Sequence, residues 1–398
     1  MRYLSWSTLL VCIISVFNPG MLRAGNNAGG AFSVWPDTGQ KNCYDDDGNL
    51  LNPCPAEKGF FYGQDAQYQG PTRSYTVIGG GTMIKDNITK LIWERKQNKD
   101  NIKNYNNPHD ADNTYTWCDT NPETNGGDKG GCGLHNTESF IAALNSSKFG
   151  GYSDWRMPTL KELSTLLDFS EANPIINTSF FSNTMSAFYW SATTNAGFAI
   201  HAWLLHFKDG FNYGNNFYGN SNKIYRYHVR AVRGGQAPIK YRFIDNNDGT
   251  VTDTVTCLQW EKTALDRNND GIEDKMTWEE ALYECEHMVL AGHNDWRLPS
   301  KNELLSIVDY SKYFPCIDTS FFTTPHVGFA LWTSTTSPYL VKTAHYVELG
   351  SGFFDIATKI PPSPTANRLY VRAVRGSQCV TSGDSENTIL SWLILLLD

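Results

Sequence analysis

The chain has no CxxC pair and no histidine at metal-ligand spacing, so a structural zinc site does not organise it. It also lacks GxSxG, HExxH and any phosphate-cradling glycine loop, which removes the common signatures of hydrolases, metalloproteases and nucleotide binders. No basic stripe exists: 33 Lys and Arg stand against 41 Asp and Glu, a formal net charge of −8, and nucleic acid is not an expected partner. No apolar run reaches the ~20 residues of a helical membrane span. The run at 389–397 is about half that length, so residues 379–398 read as a packing or frayed tail and no stable span is expected. Aromatics are plentiful, at 13% with 12 Trp and 20 Tyr beside 33 Gly, which fits loop-rich domains pinned by rings rather than helical bundles.

The main organising feature is an internal repeat. GYSDWRMPTLKELSTLLDFS (151–170) answers GHNDWRLPSKNELLSIVDYS (292–311), and INTSFF, YWSATT and YHVRAVRGG answer IDTSFF, LWTSTT and YVRAVRG. The copies lie 141 residues apart at Trp155/Trp296 and 142 at Trp190/Trp332. That period is too long for a solenoid and predicts tandem globular units. The expected division is a signal peptide (1–24), a leader (25–72), repeat one (73–235), repeat two (236–378) and the tail.

Arg2, the apolar run from Leu9 to Phe17 and the breaker Asn18-Pro19-Gly20 carry the signal-peptide reading. Without Arg2 and Arg23 the net charge is near −10. Export to the periplasm or surface of a bacterium makes the eight remaining cysteines candidates for disulfides. Cys43–Cys54 and Cys118–Cys132 are each close in sequence and span a polar turn. Cys257, Cys285, Cys316 and Cys379 allow three connectivities, of which Cys257–Cys379 with Cys285–Cys316 is favoured.

Each repeat opens with a hairpin pattern ending at Trp93 or Trp260. In repeat two, Thr277 and Glu280 predict a capping box, with Ala281, Leu282, Cys285, Met288 and Val289 on one helical face. Thr159 and Ser300 predict caps for a second helix after each DWR-x-P string. Repeat one carries 26 extra residues in a polar, Gly-rich segment (107–133), which reads as surface loop. The predicted fold class is α+β, two helices against a small, strongly turned antiparallel sheet in each repeat.

DGTVTD, TWEEAL, the DWRLP…EL…VDYS string, IDTSFF, the W-[ST]-[AS]-T-T strand and the closing VRAVRG resemble the Lcl C-terminal domain family, named for the domain at the end of a Legionella collagen-like adhesin. The pattern is nearly complete at 243–376 and weaker at 76–235. The resemblance implies surface display and, as in the namesake, binding of sulfated glycans and host surfaces. A more distant likeness to C-type-lectin-like folds, including the formylglycine-generating enzymes, implies two tandem lectin-like domains. That enzyme group uses closely spaced late cysteines, whereas here Cys379 stands alone after the closing strand, so its chemistry is not expected.

The residues carry framework readings first. Asp154 and Arg156, and Asp295 and Arg297, are expected as ion pairs within their repeats, with Trp155 and Trp296 in the core; an Arg free to hold sulfate is the functional alternative. Arg230/Arg233 and Arg372/Arg375 are read as sharing one strand face, directed at Glu162, Glu303 or the DWR aspartates. His201, His206, His228 and His345 are expected as hydrogen-bonded structural histidines. Asp266, Asn268, Asp270 and Asp274 fall at calcium-loop positions 1, 3, 5 and 9 around Gly271, without the Glu at 12, so calcium is the one cofactor the sequence suggests, with a solvated Asx-rich turn as the alternative reading. Tyr and Phe interleaved with Asn at 211–220 suit stacking on sugars. Two functions follow: a non-enzymatic exported binding protein presenting loops to a glycan or cell-surface partner, or an envelope structural protein. A hydrolase or sulfatase-modifying-like enzyme stands behind both.

Overall fold

The computed structural model describes residues 34–214, 221–235, 242–268, 270–324, 329–362 and 367–379; the signal-peptide and tail assignments, and 215–220 of the sugar-stacking segment, lie outside them. The architecture is α+β, with small antiparallel sheets and few helices; two sheets and two helices recur in the same order in each repeat, and repeat one adds a further two-stranded sheet.

In repeat one, strands Tyr75–Ile78, Met83–Asp86 and Ile92–Glu94 form a meander. Its first turn runs through Gly79, Gly80 and Gly81, all at positive φ, a path closed to most side chains. The closing strand Val232–Arg233 returns to pair with Trp93 and Ile92. Repeat two builds the same sheet from Phe243–Asp245, Thr250–Asp253, Gln259–Glu261 and Val374–Arg375. A second sheet follows in each: Phe188–Thr194, Ala202–His206 and Asn212–Tyr213, then Ala330–Thr336, Thr343–Glu348 and Phe354–Thr358. Their first strands break register at equivalent places, after Trp190 and after Trp332.

Four α-helices are present among the described residues: α1 (Thr137–Ser146), α2 (Leu160–Ser164), α3 (Trp278–His287) and α4 (Lys301–Ile307). The Thr159/Glu162, Thr277/Glu280 and Ser300/Glu303 capping boxes all close, each cap contributing about 1 kcal/mol. The α3 face holds at Ala281, Leu282 and Cys285, but α3 ends at His287, Met288 is extended and Val289 is 72% exposed.

One central core crosses the repeat boundary. Leu160, Leu163, Leu166 and Leu167 belong to the same buried cluster as Leu304, Leu305, Ile307 and Val308. Polar contacts reinforce the joint: Lys161 Nζ donates to the Ser306 carbonyl at 2.9 Å. Asn212 donates to the Gly352 carbonyl at 2.9 Å and accepts from the Phe354 N–H at 2.8 Å. Each repeat keeps a smaller core, around Trp117, Trp155 and Trp190 in the first and Trp278, Trp296 and Trp332 in the second.

Three further placements depend on tertiary contacts. The leader is no free extension. Its Cys43–Tyr44/Leu50–Leu51 hairpin is clipped by Cys43–Cys54, and it docks on repeat two. There Asp65 accepts from the Thr38 and Thr335 hydroxyls at 2.7 and 2.6 Å, and Tyr68 donates to Glu286 at 2.6 Å. The extra segment of repeat one is more than surface loop: Ala111, Tyr115, Trp117 and Cys118 are buried, and Tyr115–Thr116 pairs with Arg226–Tyr227. Finally, Cys118–Cys132 and Cys257–Cys379 are bonded, but Cys285 and Cys316 are not bonded to each other. Cys285 faces the smaller core of repeat two from α3, while Cys316 sits in the central core. Two different cores hold them, so the favoured Cys285–Cys316 bridge is corrected to two buried thiols.

Candidate functional site

The DWR strings form a framework, with the partners exchanged. Arg156 makes a two-pronged pair with Glu162 at 2.7 and 2.6 Å, and Arg297 does the same with Glu303 at 2.7 and 2.7 Å. Asp154 and Asp295 instead accept from Arg233 and Arg375, each at 2.7 Å. The expected Asp154–Arg156 and Asp295–Arg297 pairs are therefore corrected: within each string, Asp and Arg point to different partners. Trp155 and Trp296 are buried as expected. Both terminal nitrogens of each guanidinium are paired with a glutamate, so the two-pronged edge that would grip a sulfate is already used. Burial works against ionising Glu303, but the Arg297 charge and its hydrogen bonds outweigh it and leave the carboxyl below its ordinary range.

The closing-strand arginines do not share a face. Three residues is an odd spacing on an extended chain and sends side chains to opposite sides. Arg233 and Arg375 reach outward to the aspartates. Arg230 and Arg372 are fully buried and donate to carbonyls, Arg230 to Glu94 and Arg372 to Glu261, both at 2.7 Å. The two glutamates differ. Burial would raise both, but Lys96 and His109 bring Glu94 down to about 2, while desolvation leaves Glu261 at about 7.

Three of the four strand histidines are bonded: His201 to Ser221, His206 to Asp209 and His228 to the Ala111 carbonyl. His345 departs from expectation, fully buried with neither ring nitrogen partnered.

The calcium-loop string folds onto itself. Asp266 accepts from the Gly271 N–H at 2.8 Å, Asp270 from Asn268 at 3.0 Å and from the Ile272 N–H at 2.8 Å, and Asp274 from the Arg267 N–H at 2.8 Å. One Asp266 oxygen is buried without a partner. Among the described residues no three Asp, Glu, His or Cys side chains converge to hold an ion. In this structure the string is an Asx-rich turn held by its own hydrogen bonds.

The feature best suited to binding lies elsewhere, and pattern reading of the sequence missed it. A cleft of about 500 Å³ opens between the leader, α3 and the segment at 359–361. Since α3 turns Ala281, Leu282 and Cys285 to the core, Glu279, Glu280, Tyr283 and Glu284 face the cleft. Arg368 pairs with Glu280 at 2.8 Å, and Arg267 lies 3.8 Å from Glu284. Glu279 and, across the cleft, Asp46 have no ion-pair partner among the described residues. Burial, then the charges of Asp46 and Glu280, pushes the Glu279 carboxyl up. Phe60 of the leader is 70% exposed and its ring lies 6.1 Å from that of Tyr283. Lys359 forms the floor: buried against the Trp278 ring at 4.1 Å and donating to the Asp45 carbonyl at 3.1 Å, it is drawn down to about 7 by desolvation. Tyr283 stacks one face on His287, ring centroids 4.0 Å apart. The exposed Phe60 ring and what Tyr283 leaves uncovered can therefore pack on sugar C–H surfaces, while the carboxylates beside them accept from hydroxyl or amine groups. Only proximity in the fold could have revealed the site, because Phe60 and Tyr283 are 223 positions apart.

The family model of the Lcl C-terminal domain matches residues 82–233 and 249–375, more than two thirds of the chain. The chain belongs to the Lcl C-terminal domain family. No curated protein matches the sequence. The two matched segments begin inside the opening meanders and end at the closing arginine strands, so they coincide with the structural repeats. Asp46 and Phe60 lie outside both segments. The cleft is thus a composite of the second Lcl C-terminal domain and the leader. Among the described residues no helix is long and apolar enough to cross a membrane.

Proposed function

We infer that this tandem Lcl C-terminal domain protein is an exported, non-enzymatic, adhesin-type binding protein whose leader and second domain present a carbohydrate-binding cleft. The observation that carries the reading is the cleft itself, with Phe60 and Tyr283 exposed beside Asp46 and Glu279. Its acidic lining repels sulfate groups and favours neutral or amine-bearing sugars, a departure from the sulfated ligands that the family resemblance implies. Three disulfides support an oxidising location at the cell surface or in the periplasm. Small antiparallel sheets, short helices and long connections support a lectin-like form for each unit.

The test is a glycan array followed by titration of the best ligand against the full mature chain. Phe60→Ala and Tyr283→Ala should each weaken binding by about tenfold, roughly 1.4 kcal/mol, while leaving the melting midpoint in place. Equal affinity in both variants removes the cleft from the function. Ligand recovered in shortened form would replace binding with hydrolysis. A second reading, an envelope interaction protein without a glycan ligand, draws on Phe198, Tyr313 and Phe314, an exposed ring cluster with centroids 5.6 and 4.4 Å apart; an array with no signal above an albumin control favours it. Calcium has no part in this proposal. In this structure Asp274 is engaged by Arg267, and Asp266 and Asp270 accept from the loop's own backbone. The expected melting midpoint is the same in millimolar calcium and in chelator; a rise in calcium that Asp270→Ala abolishes would reinstate the ion.

A further inference from the structure

The repeats are so alike at their shared core that a departure from the likeness carries information. In the first domain Leu160, the residue after the Thr159 cap, and Trp203, in the middle strand of the second sheet, are both buried. Trp203 crosses the boundary to pack on Tyr310 and Phe353, with ring centroids 5.2 and 5.1 Å away. The equivalent positions in the second domain are Lys301, after the Ser300 cap, and His345. Equivalence is structural as well as numerical: the Trp203 carbonyl accepts from Ser191, and the His345 carbonyl accepts from Thr333. His345 crosses the same boundary in the opposite direction, its ring 4.9 Å from Phe169 and 6.2 Å from Phe211 of the first domain.

The fold therefore accepts Leu and Trp in this layer, and at its other end holds Lys and His. Both are fully buried, and neither the Lys301 amine nor either His345 nitrogen has a hydrogen-bond partner. The Lys301 amine lies over two rings, Phe169 of the first domain at 4.9 Å and Phe354 of the second at 4.0 Å. Positive charge is what they meet: Arg73 acts on Lys301, and Lys301 acts on His345. Two carboxylates reach this layer indirectly. Asp168 lies 4.0 Å from Arg73 and is bonded to Ser170, and Asp65 accepts from the Thr335 hydroxyl that takes the Lys301 backbone N–H, not from the Lys301 amine. Among the described residues no acid forms an ion pair with Lys301 or His345.

We propose that Lys301 and His345 make the joint between the two domains acid-sensitive: a proton taken up at either residue places a cation between Phe169, Phe211 and Phe354 with no anion to receive it, and the domain boundary loosens. The rings can answer part of either charge, but no carboxylate pairs with it among the described residues. Desolvation holds both groups below their ordinary values, Lys301 well below and His345 well below. The folded state then binds fewer protons than the unfolded chain, so stability is highest at high pH and falls as pH drops. For His345 the loss begins as pH passes below about 6.5, where the unfolded imidazole takes its proton.

The experiment measures unfolding of the full mature chain from pH 8 to pH 5, beside Lys301→Leu/His345→Trp, which copies the first domain's pair. Beyond the rise in the double variant, the wild-type unfolding constant is expected to rise by up to about tenfold per pH unit from Lys301 as pH falls from 8, and by up to about a further tenfold per unit from His345 below about 6.5. Equal pH slopes in the two proteins overturn the proposal. An NMR titration of the His345 ring in the wild-type protein decides the matter if the variant does not fold. The imidazole should stay neutral from pH 8 to 5.5, and an ordinary midpoint near about 6.5 refutes the joint.

Discussion

Replacing Cys257 and Cys379 together by serine lowers stability by about 5 kcal/mol, the chain-entropy value for a very long closed loop. The bridge spans 122 positions, nearly the whole second domain, so its loss releases the largest amount of unfolded-state freedom of the three disulfides. The same bridge supports a seam of the fold. The Cys379 N–H donates to the Thr256 carbonyl at 3.1 Å, and the neighbouring Gln378 side chain accepts from the Trp35 N–H at 2.8 Å. Leader, opening meander and closing strand therefore meet at this point. Cys43–Cys54 and Cys118–Cys132 close only 11 and 14 positions, and their removal should cost about 3 kcal/mol each. Chemical denaturation of the three double-serine variants, without reductant, ranks them. A Cys257/Cys379 variant no less stable than the other two would mean that chain entropy is not what this bridge contributes.

Local chemistry was legible in the sequence, and partner choice at a distance was not. Thr159, Thr277 and Ser300 declare their helices because cap and acceptor are three residues apart. Cys43–Cys54 and Cys118–Cys132 follow from short polar spans for the same reason. Arg156 and Arg297 belong to the framework as expected, but the DWR aspartates are not their partners: Glu162 and Glu303 lie six residues on, while Arg233 and Arg375 return from far along the chain to take the aspartates. Cys285 and Cys316 have equal claim to each other on paper, and only the division between two cores separates them. The shared core was hidden for a related reason: Leu163 and Leu304 each look like the buried face of a separate domain, and periodicity does not say what covers it. The cleft needed most, because Phe60 belongs to a leader whose glycine, asparagine and proline content gave no sign of a docking surface.

The same substitution in the two DWR strings should have unequal effects, because the second string is sealed and the first is not. The Arg297 side chain is 8% exposed and its partner Glu303 10%. Tyr68 of the leader contributes to the seal, with the guanidinium 5.0 Å from its ring. Arg297→Ala leaves the Glu303 carboxylate with the Ser300 N–H at 2.9 Å but without a cation. Stranding one member of a buried pair costs about 3–5 kcal/mol. It should also loosen the leader, and with it the cleft wall that carries Phe60. Arg156 keeps 35% of its side chain exposed over a fully buried Glu162, so removing it opens a path for water to the stranded carboxylate, and the cost should fall below that of Arg297→Ala. Melting of the two variants at neutral pH measures the difference. At low pH the difference should shrink, because the depressed Glu303 pKa gives stability that is present above the ordinary carboxylate value and lost as pH falls through the folded one. Equal destabilisation by the two substitutions would show that the leader does not seal the second pair, and that the likeness of the strings outweighs their difference in burial.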